Sequence, residues 1–377
     1  MINITSDMSW QDVAAAAQAY RDKTIAAVEP KVPEAPTHNA LNVTGIPAKL
    51  LSGEVIKITE LPVETLLERM ATGSFTSTRV TTAFLQRAGL AGRLVNCITE
   101  LPSERALERA AELDEYYASH GKPMGPLHGL PISVKEHIAM KGLDLNAGFV
   151  SWVGRIAPDD GLILKLLWNA GCVFHARTTE PQTLMHLETS SNIYGVTVNP
   201  YNTSLTSGGS SGGEGALLGM RGSCLGIGTD IGGSIRSPAA NQGLFGLRPT
   251  SYRLPLDGFA ATMTGQEQIV PVIGPLSTSL EGIKIFMKTL INQKPWLYEP
   301  SLVPMPWRQD FKQGSLVSWE SLHYTICSIL RILSSATVLM PKASASASCS
   351  TTASSNPTRP SSARWKPFWP NSRTVQV

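Results

Sequence analysis

An α/β sandwich with a largely buried sheet is the predicted fold class, on three observations. Helical and strand patterns alternate along the middle of the chain, the arrangement that layers helices on a sheet. Hydrophobic residues make up 42% of 377 and charged residues only 16%, against about a quarter charged in an ordinary soluble protein. The glycine-rich stretch from Leu205 to Pro238 is interleaved with Leu217, Leu218, Leu225 and Ile227, so it belongs to a packed interior.

Taken in order, residues 9–28 predict a helix, with Ser9 and Asp12 as a capping-box start and an alanine-rich body. Proline-rich sequence around Pro30–Pro36 separates it from the rest. Residues 1–40 therefore read as an N-terminal helical arm, lying across the domain or across a partner; a homodimer through this helix is the partner reading. Helical patterns follow at Pro62–Ala71, Ser77–Ala91 and Ser103–Ala118, with a strand at Val95–Thr99. Pro126–Lys135 predicts the next strand. Asp160–Ala170 is a helix with Leu162, Leu166 and Leu167 on one face, ended by Gly171, and Cys172–Ala176 is a buried strand. Gly213–Leu218 opens a short helix, Leu225–Thr229 forms a strand, and Gly282–Ile291 is a helix with Ile283, Phe286 and Leu290 on one face.

The Leu205–Pro238 stretch holds two glycine-lined serine loops, around Ser210-Ser211 and around Ser234. Glycine lets main-chain N–H groups crowd a small ligand, and converging N–H groups make a hole for an anionic oxygen. This points to acyl transfer with a serine nucleophile. A flexible linker is disfavoured by the interleaved apolar residues. A phosphate loop needs a lysine that the block lacks, and a dinucleotide fingerprint fails at Ile231, where a third glycine belongs. The nucleophile elbow Gly-x-Ser-x-Gly matches at Gly208–Gly212 and Gly209–Gly213. A serine esterase of α/β-hydrolase type would then need a downstream histidine, and only His323 qualifies. That reading is disfavoured.

A base is sought upstream, in Gly-Leu-Pro-Ile-Ser-Val-Lys135, a short β-type run ending on lysine. Lysine acts as a base only when buried enough to lose its proton, and Ile132 and Val134 suit a strand end dipping into a core. Three motifs in one order then resemble the amidase signature family, with a fungal acetamidase-like flavour. They are the run ending at Lys135, Gly-Gly-Ser210-Ser-Gly-Gly-Glu-Gly, and Asp230-Ile-Gly-Gly-Ser234-Ile-Arg-Ser-Pro, extended by Asn241–Thr250. The resemblance covers roughly residues 40–310. It implies an amidase-signature fold, a central mixed sheet sandwiched by helices, incomplete at the C-terminus.

The resemblance also implies amide hydrolysis by a Ser-Ser-Lys triad. Lys135 takes a proton from Ser210, Ser210 takes one from Ser234, and Ser234 carries the acyl group. Ser210 would sit on a cis peptide bond. The N–H groups of Ile231, Gly232, Gly233 and Ser234 would form the oxyanion hole, and a main-chain group of Leu184 would hold the substrate amide. Ser211 would support the triad by hydrogen bonding or else face solvent, while Asp230 and Arg236 would pair structurally. Met185 and Leu187 are core or pocket wall, and His186 is structural. The expected partner is a small-molecule amide, with no metal or cofactor. A secondary-metabolism role is open, and a truncated, non-catalytic remnant is the alternative.

The five cysteines show neither pairing nor metal-ligand spacing, which suits a reducing, cytoplasmic setting. No secretory signal or membrane span is expected; the best apolar run, Tyr324–Met340, carries Arg331. Residues 41–312 read as the catalytic domain and 313–377 as an atypical, low-complexity basic tail. Beyond Glu320 there is no acidic residue and there are six basic ones, so the +3 net charge arises in the tail. The remaining 26 basic and 29 acidic residues leave a net of −3 for the rest of the chain, and no nucleic-acid partner is expected for the catalytic domain. The tail reads either as a disordered basic segment that touches nucleic acid or membrane or as a departure of the reading frame or gene model from the family.

Overall fold

The computed structural model describes residues 5–308, apart from 6, 37–39, 264, 266 and 267. The predicted tail, His323 and Tyr324–Met340 lie outside them. Six strands form the main sheet: β1 (Ile98–Glu100), β2 (Pro131–Lys135), β3 (Val173–Thr178), β4 (Leu225–Asp230), β5 (Phe245–Gly246) and β6 (Val272–Ser277). Their spatial order is β1-β3-β2-β4-β6-β5. β2 runs parallel to both β3 and β4, while β1, β6 and β5 are joined antiparallel. The sheet is therefore mixed, with a parallel centre. The carboxyl ends of β2, β3 and β4 lie on one side, where parallel sheets build their sites.

Helices pack against this sheet through the main hydrophobic core. Phe84 and Leu90 come from α4 (Ser77–Val95), Leu113 from α5 (Ser103–His120), and Phe286 and Leu290 from α9 (Leu280–Asn292), meeting Ile132 and Val134 of β2. Two shorter helices, α2 (Gly53–Thr59) and α3 (Val63–Ala71), precede them, and α6 (Leu162–Asn169), α7 (Gly212–Gly219) and α8 (Arg236–Gln242) lie between. Local chemistry sets the ends. Thr76 and Ser279 cap α4 and α9 through their hydroxyls, and Gly121, at φ 65°, closes α5.

The N-terminal helix α1 (Trp10–Ala26) has the predicted capping box between Ser9 and Asp12. It lies across its own domain. Val13 and Ala17 pack with Val153, Ile193 and Tyr194, and Ile25 joins the main core. Gln18 Nε2 donates to the Ile193 carbonyl at 2.6 Å.

Several boundaries differ from expectation. α4 runs on to Val95, where Asn96 turns left-handed at φ 53° and ends it, so β1 starts only at Ile98. β2 begins at Pro131, because residues 127–130 form a turn with Gly129 at φ 74° and a Leu130 N–H to Leu127 C=O bond. Among the described residues no helix is long and apolar enough to cross a membrane.

Close packing behind the site is tightest at Gly226 of β4. A Cβ there would sit 2.0 Å from Glu214 Oε2 and 2.8 Å from Ser133 Oγ. Both atoms are buried and hydrogen-bonded to each other at 2.6 Å, so neither yields easily. Gly226→Ala is expected to destabilise the fold by about 1–3 kcal/mol, read as a lower denaturation midpoint with an unchanged slope.

Candidate active site

Lys135 is the last residue of β2 and is fully buried. Its Nζ lies 2.6 Å from Ser210 Oγ and 3.0 Å from Thr229 Oγ1. Burial disfavours its charged form and brings the pKa down to about 8, although Glu180, Glu214 and Asp230 pull it back up. The amine thus meets both demands made of a lysine base, a dry environment and contact with a hydroxyl.

Ser210 sits in the loop just before α7, on a cis Gly209–Ser210 peptide. The chain passes so close to a neighbouring loop that a Cβ on Gly209 would lie 2.4 Å from the His186 carbonyl oxygen. Ser211 is fully buried rather than solvent-facing. Its hydroxyl lies 3.3 Å from both the N–H and the C=O of Thr229, and its N–H donates to the Ser234 carbonyl at 3.0 Å. The two serine loops are therefore fastened to each other and to β4.

Ser234 and Ser210 line one cavity of about 130 Å³, with His137, Leu184, Thr229, Phe259 and Met263 among its walls. The one bond to Ser234 from a described residue is at its carbonyl, from Ser211 N–H, so its Oγ is left without a partner among the described residues; Ser234 is 6% exposed. No bond joins Ser210 Oγ to Ser234 Oγ in this structure. The lysine-to-first-serine contact is formed; the contact between the serines is not.

Asp230 ends β4 with a buried carboxylate that organises the Ser234 loop. It accepts from the N–H groups of Gly233 (2.7 Å), Ile235 (3.1 Å) and Arg236 (3.4 Å), and from the Arg236 guanidinium at 3.0 Å. Arg248 Nε lies 3.5 Å away. Burial works to raise its pKa, but the bonds from Arg236 and the N–H groups outweigh this and hold the carboxyl below its ordinary range. One expectation needs correcting here. Gly233 N–H is committed to Asp230 and is not free for a substrate oxygen, because a carboxylate at the strand end is the stronger acceptor. Ile231, Gly232 and Ser234 N–H groups have no such partner among the described residues.

Leu184 lies on the cavity wall in an uncommon conformation, φ 63°, after Thr183 at φ 70°. Its N–H donates to Pro181 C=O at 3.1 Å, while its own carbonyl has no donor among the described residues. Consecutive left-handed, non-glycine residues are costly and are held by their surroundings; here Thr262 Oγ1 donates to the Thr183 carbonyl at 2.9 Å. Met185 also lines the cavity and is half exposed, whereas Leu187 is exposed at 56% and not core. His186 is exposed, its ring turned to Glu188 C=O.

The residues that reading the chain overlooked are Thr229, His137, Glu180 and Glu214. Thr229 immediately precedes the Asp230 motif, and His137 stands two positions beyond Lys135 in the turn that follows β2, which an Ile138 N–H to Lys135 C=O bond closes. Glu214 is fully buried and accepts from Ser133 (2.6 Å) and Thr178 (2.8 Å).

Residues 79–322 match the family Amidase. The chain belongs to the amidase family. It is 46% identical over 304 residues to an acetamidase of Emericella nidulans, a match covering 80% of this chain and 55% of the relative. An acetamidase of Aspergillus oryzae is 45% identical over 303 residues, with 80% and 55% covered. The structure of a fatty acid amide hydrolase superposes with a TM-score of 0.74 at 40% identity, over 78% of this chain and 53% of that one. The chain thus spans little more than half the length of these relatives.

Asp230→Ala strips the acceptor from three N–H groups of the Ser234 loop. Arg236, half exposed, returns to water, so the loss is set by the N–H groups, at about 1–3 kcal/mol. Chemical denaturation is expected to show that loss, and Asp230→Asn, which keeps an acceptor oxygen, a smaller one.

Proposed function

We propose that the chain hydrolyses a short aliphatic carboxylic acid amide to the acid and ammonia, through an acyl group carried on Ser234. The observation that carries this is the buried Lys135 amine 2.6 Å from Ser210 Oγ, at a cavity that Ser234 also lines. Uncharged Lys135 accepts the Ser210 proton. Ser210 takes the Ser234 proton as Ser234 Oγ attacks the amide carbonyl, once the Ser234 hydroxyl has turned toward Ser210. The carbonyl oxygen, now anionic, is met by the N–H groups of Ile231, Gly232 and Ser234, each such donor contributing about a hundredfold or more in turnover. The proton returns along the same path to the nitrogen, the C–N bond breaks, and ammonia leaves. Water repeats the cycle and releases the acid. The carbonyl of Leu184, which has no donor among the described residues, would accept from the substrate amide N–H.

The cavity volume supports a small acyl group, being well below the several hundred Å³ of a drug-sized site. Two relatives named acetamidase point the same way.

Two measurements test the reading. A fluorophosphonate probe is expected to label the folded protein on Ser234 and to fail with Ser234→Ala and Lys135→Ala; a folded protein that takes no label points to the non-catalytic alternative. With acetamide as substrate, kcat/KM depends on the fraction of Lys135 that is uncharged. Its pKa is about 8, so the rate is expected to climb about tenfold per pH unit below 8 and to level off above it. Lys135→Ala is expected to lose about 100- to 10,000-fold in kcat; a pH-independent rate between 6 and 9 contradicts the assignment.

A further inference from the structure

His137 is buried at the end of β2, and no step above uses it. Its Nδ1 lies 3.2 Å from the Ala260 carbonyl oxygen. A carbonyl only accepts, so Nδ1 carries the ring proton and Nε2 offers a lone pair. Burial, with Lys135 nearby, holds the imidazole uncharged. Nε2 lies 3.0 Å from Thr229 Oγ1, so the threonine hydroxyl donates to it. Its proton engaged, Thr229 Oγ1 can only accept from Lys135 Nζ, 3.0 Å away.

Each bond in this row fixes the direction of the next. An uncharged lysine has two N–H bonds and one lone pair. When one N–H is drawn to Thr229, the lone pair is left for Ser210 Oγ at 2.6 Å, the polarity that proton transfer from serine to lysine requires. Were the Thr229 hydroxyl free to turn, it would donate to the lysine itself and occupy the lone pair that Ser210 needs.

We propose that His137 is a positioning residue that acts through Thr229 to aim the Lys135 lone pair at Ser210. This rests on the amide-hydrolase reading above. The competing role is structural: the ring meets Phe259 edge-on at 5.7 Å, and Ala260 N–H bonds to the His137 carbonyl at 2.8 Å, so His137 also braces the cavity wall.

Two substitutions separate these roles. His137→Phe keeps an aromatic ring against Phe259 but removes the acceptor, whereas His137→Gln places an amide oxygen near the position of Nε2. With acetamide as substrate, His137→Phe is expected to lower kcat about 10- to 100-fold with KM little changed, and His137→Gln to recover most of that loss. Thr229→Val is expected to match His137→Phe and Thr229→Ser to recover from it. The double variant His137→Phe/Thr229→Val is expected to be no worse than either single one, since both break one row of bonds.

A His137→Phe protein with wild-type kcat, an effect confined to KM, or glutamine no better than phenylalanine in folded proteins each overturns the proposal. If His137→Phe does not fold, Thr229→Val and Thr229→Ser ask the same question from the other side of the bond. Wild-type protein labelled by the fluorophosphonate probe, with Lys135→Ala unlabelled, keeps the amidase reading standing if the His137 proposal falls. An unlabelled, inactive wild type overturns both.

Discussion

A lysine amine sealed from water at the end of a central strand is the constraint around which the rest of the site is arranged. Desolvation alone pushes such an amine toward its neutral form, but Glu180, Glu214 and Asp230 are near enough to oppose it. The fold deals with each acid separately. Glu214 is buried, which raises its pKa to about 8 despite hydrogen bonds from Ser133 and Thr178. Glu180 is raised well above the usual carboxyl range, first by burial and then by the charge of Glu136. Asp230 stays ionised, but Arg236 and Arg248 stand against it. Two of the three acids are thus driven toward neutrality and the third is countered by arginines.

The sheet makes this arrangement possible. Because β2, β3 and β4 are parallel, Lys135, Thr178 and Thr229–Asp230 arrive at the same rim. The serine loop then has only to be pinned over that rim, and Ser211 does so through Thr229 and Ser234. Arg177, fully buried between Glu100 at 2.6 Å and Glu136 at 3.8 Å, neutralises a second acidic group one strand away. An unpaired charge in either place would be several kcal/mol too costly to bury.

Much of this was legible along the chain because it is written in contiguous residues. The capping box at Ser9 and Asp12, the leucine face of α6 and the three motifs all lie within short windows. What escaped was non-contiguous or disguised. Strand β6 was not foreseen because Pro275 punctuates Val272–Ser277; a proline there normally argues against an inner strand, yet β6 pairs on both sides. The roles of Thr229 and His137 escaped because their partners are neighbours across strands and loops, not along the sequence. Asp230 and Arg236 carry opposite charges, but charge alone does not say that the same carboxylate also holds the Gly233 N–H.

The open distance between the two serines fits the same logic. Lys135, Thr229, His137 and the Ala260 carbonyl form a row of hydrogen bonds, and Ser210 closes it at one end. The Ser234 hydroxyl, by contrast, holds no hydrogen bond to any described residue, and Ser234 lines the cavity. Under the proposed mechanism, a Ser234 hydroxyl already bonded to Ser210 would gain little from that contact in the transition state, since it would enjoy it in the ground state as well. Leaving the contact to form as the hydroxyl turns toward an occupied cavity keeps its full strength for the moment when charge develops on the substrate. Both serine loops are held by backbone bonds, and the Ser234 hydroxyl alone is left without a partner among the described residues.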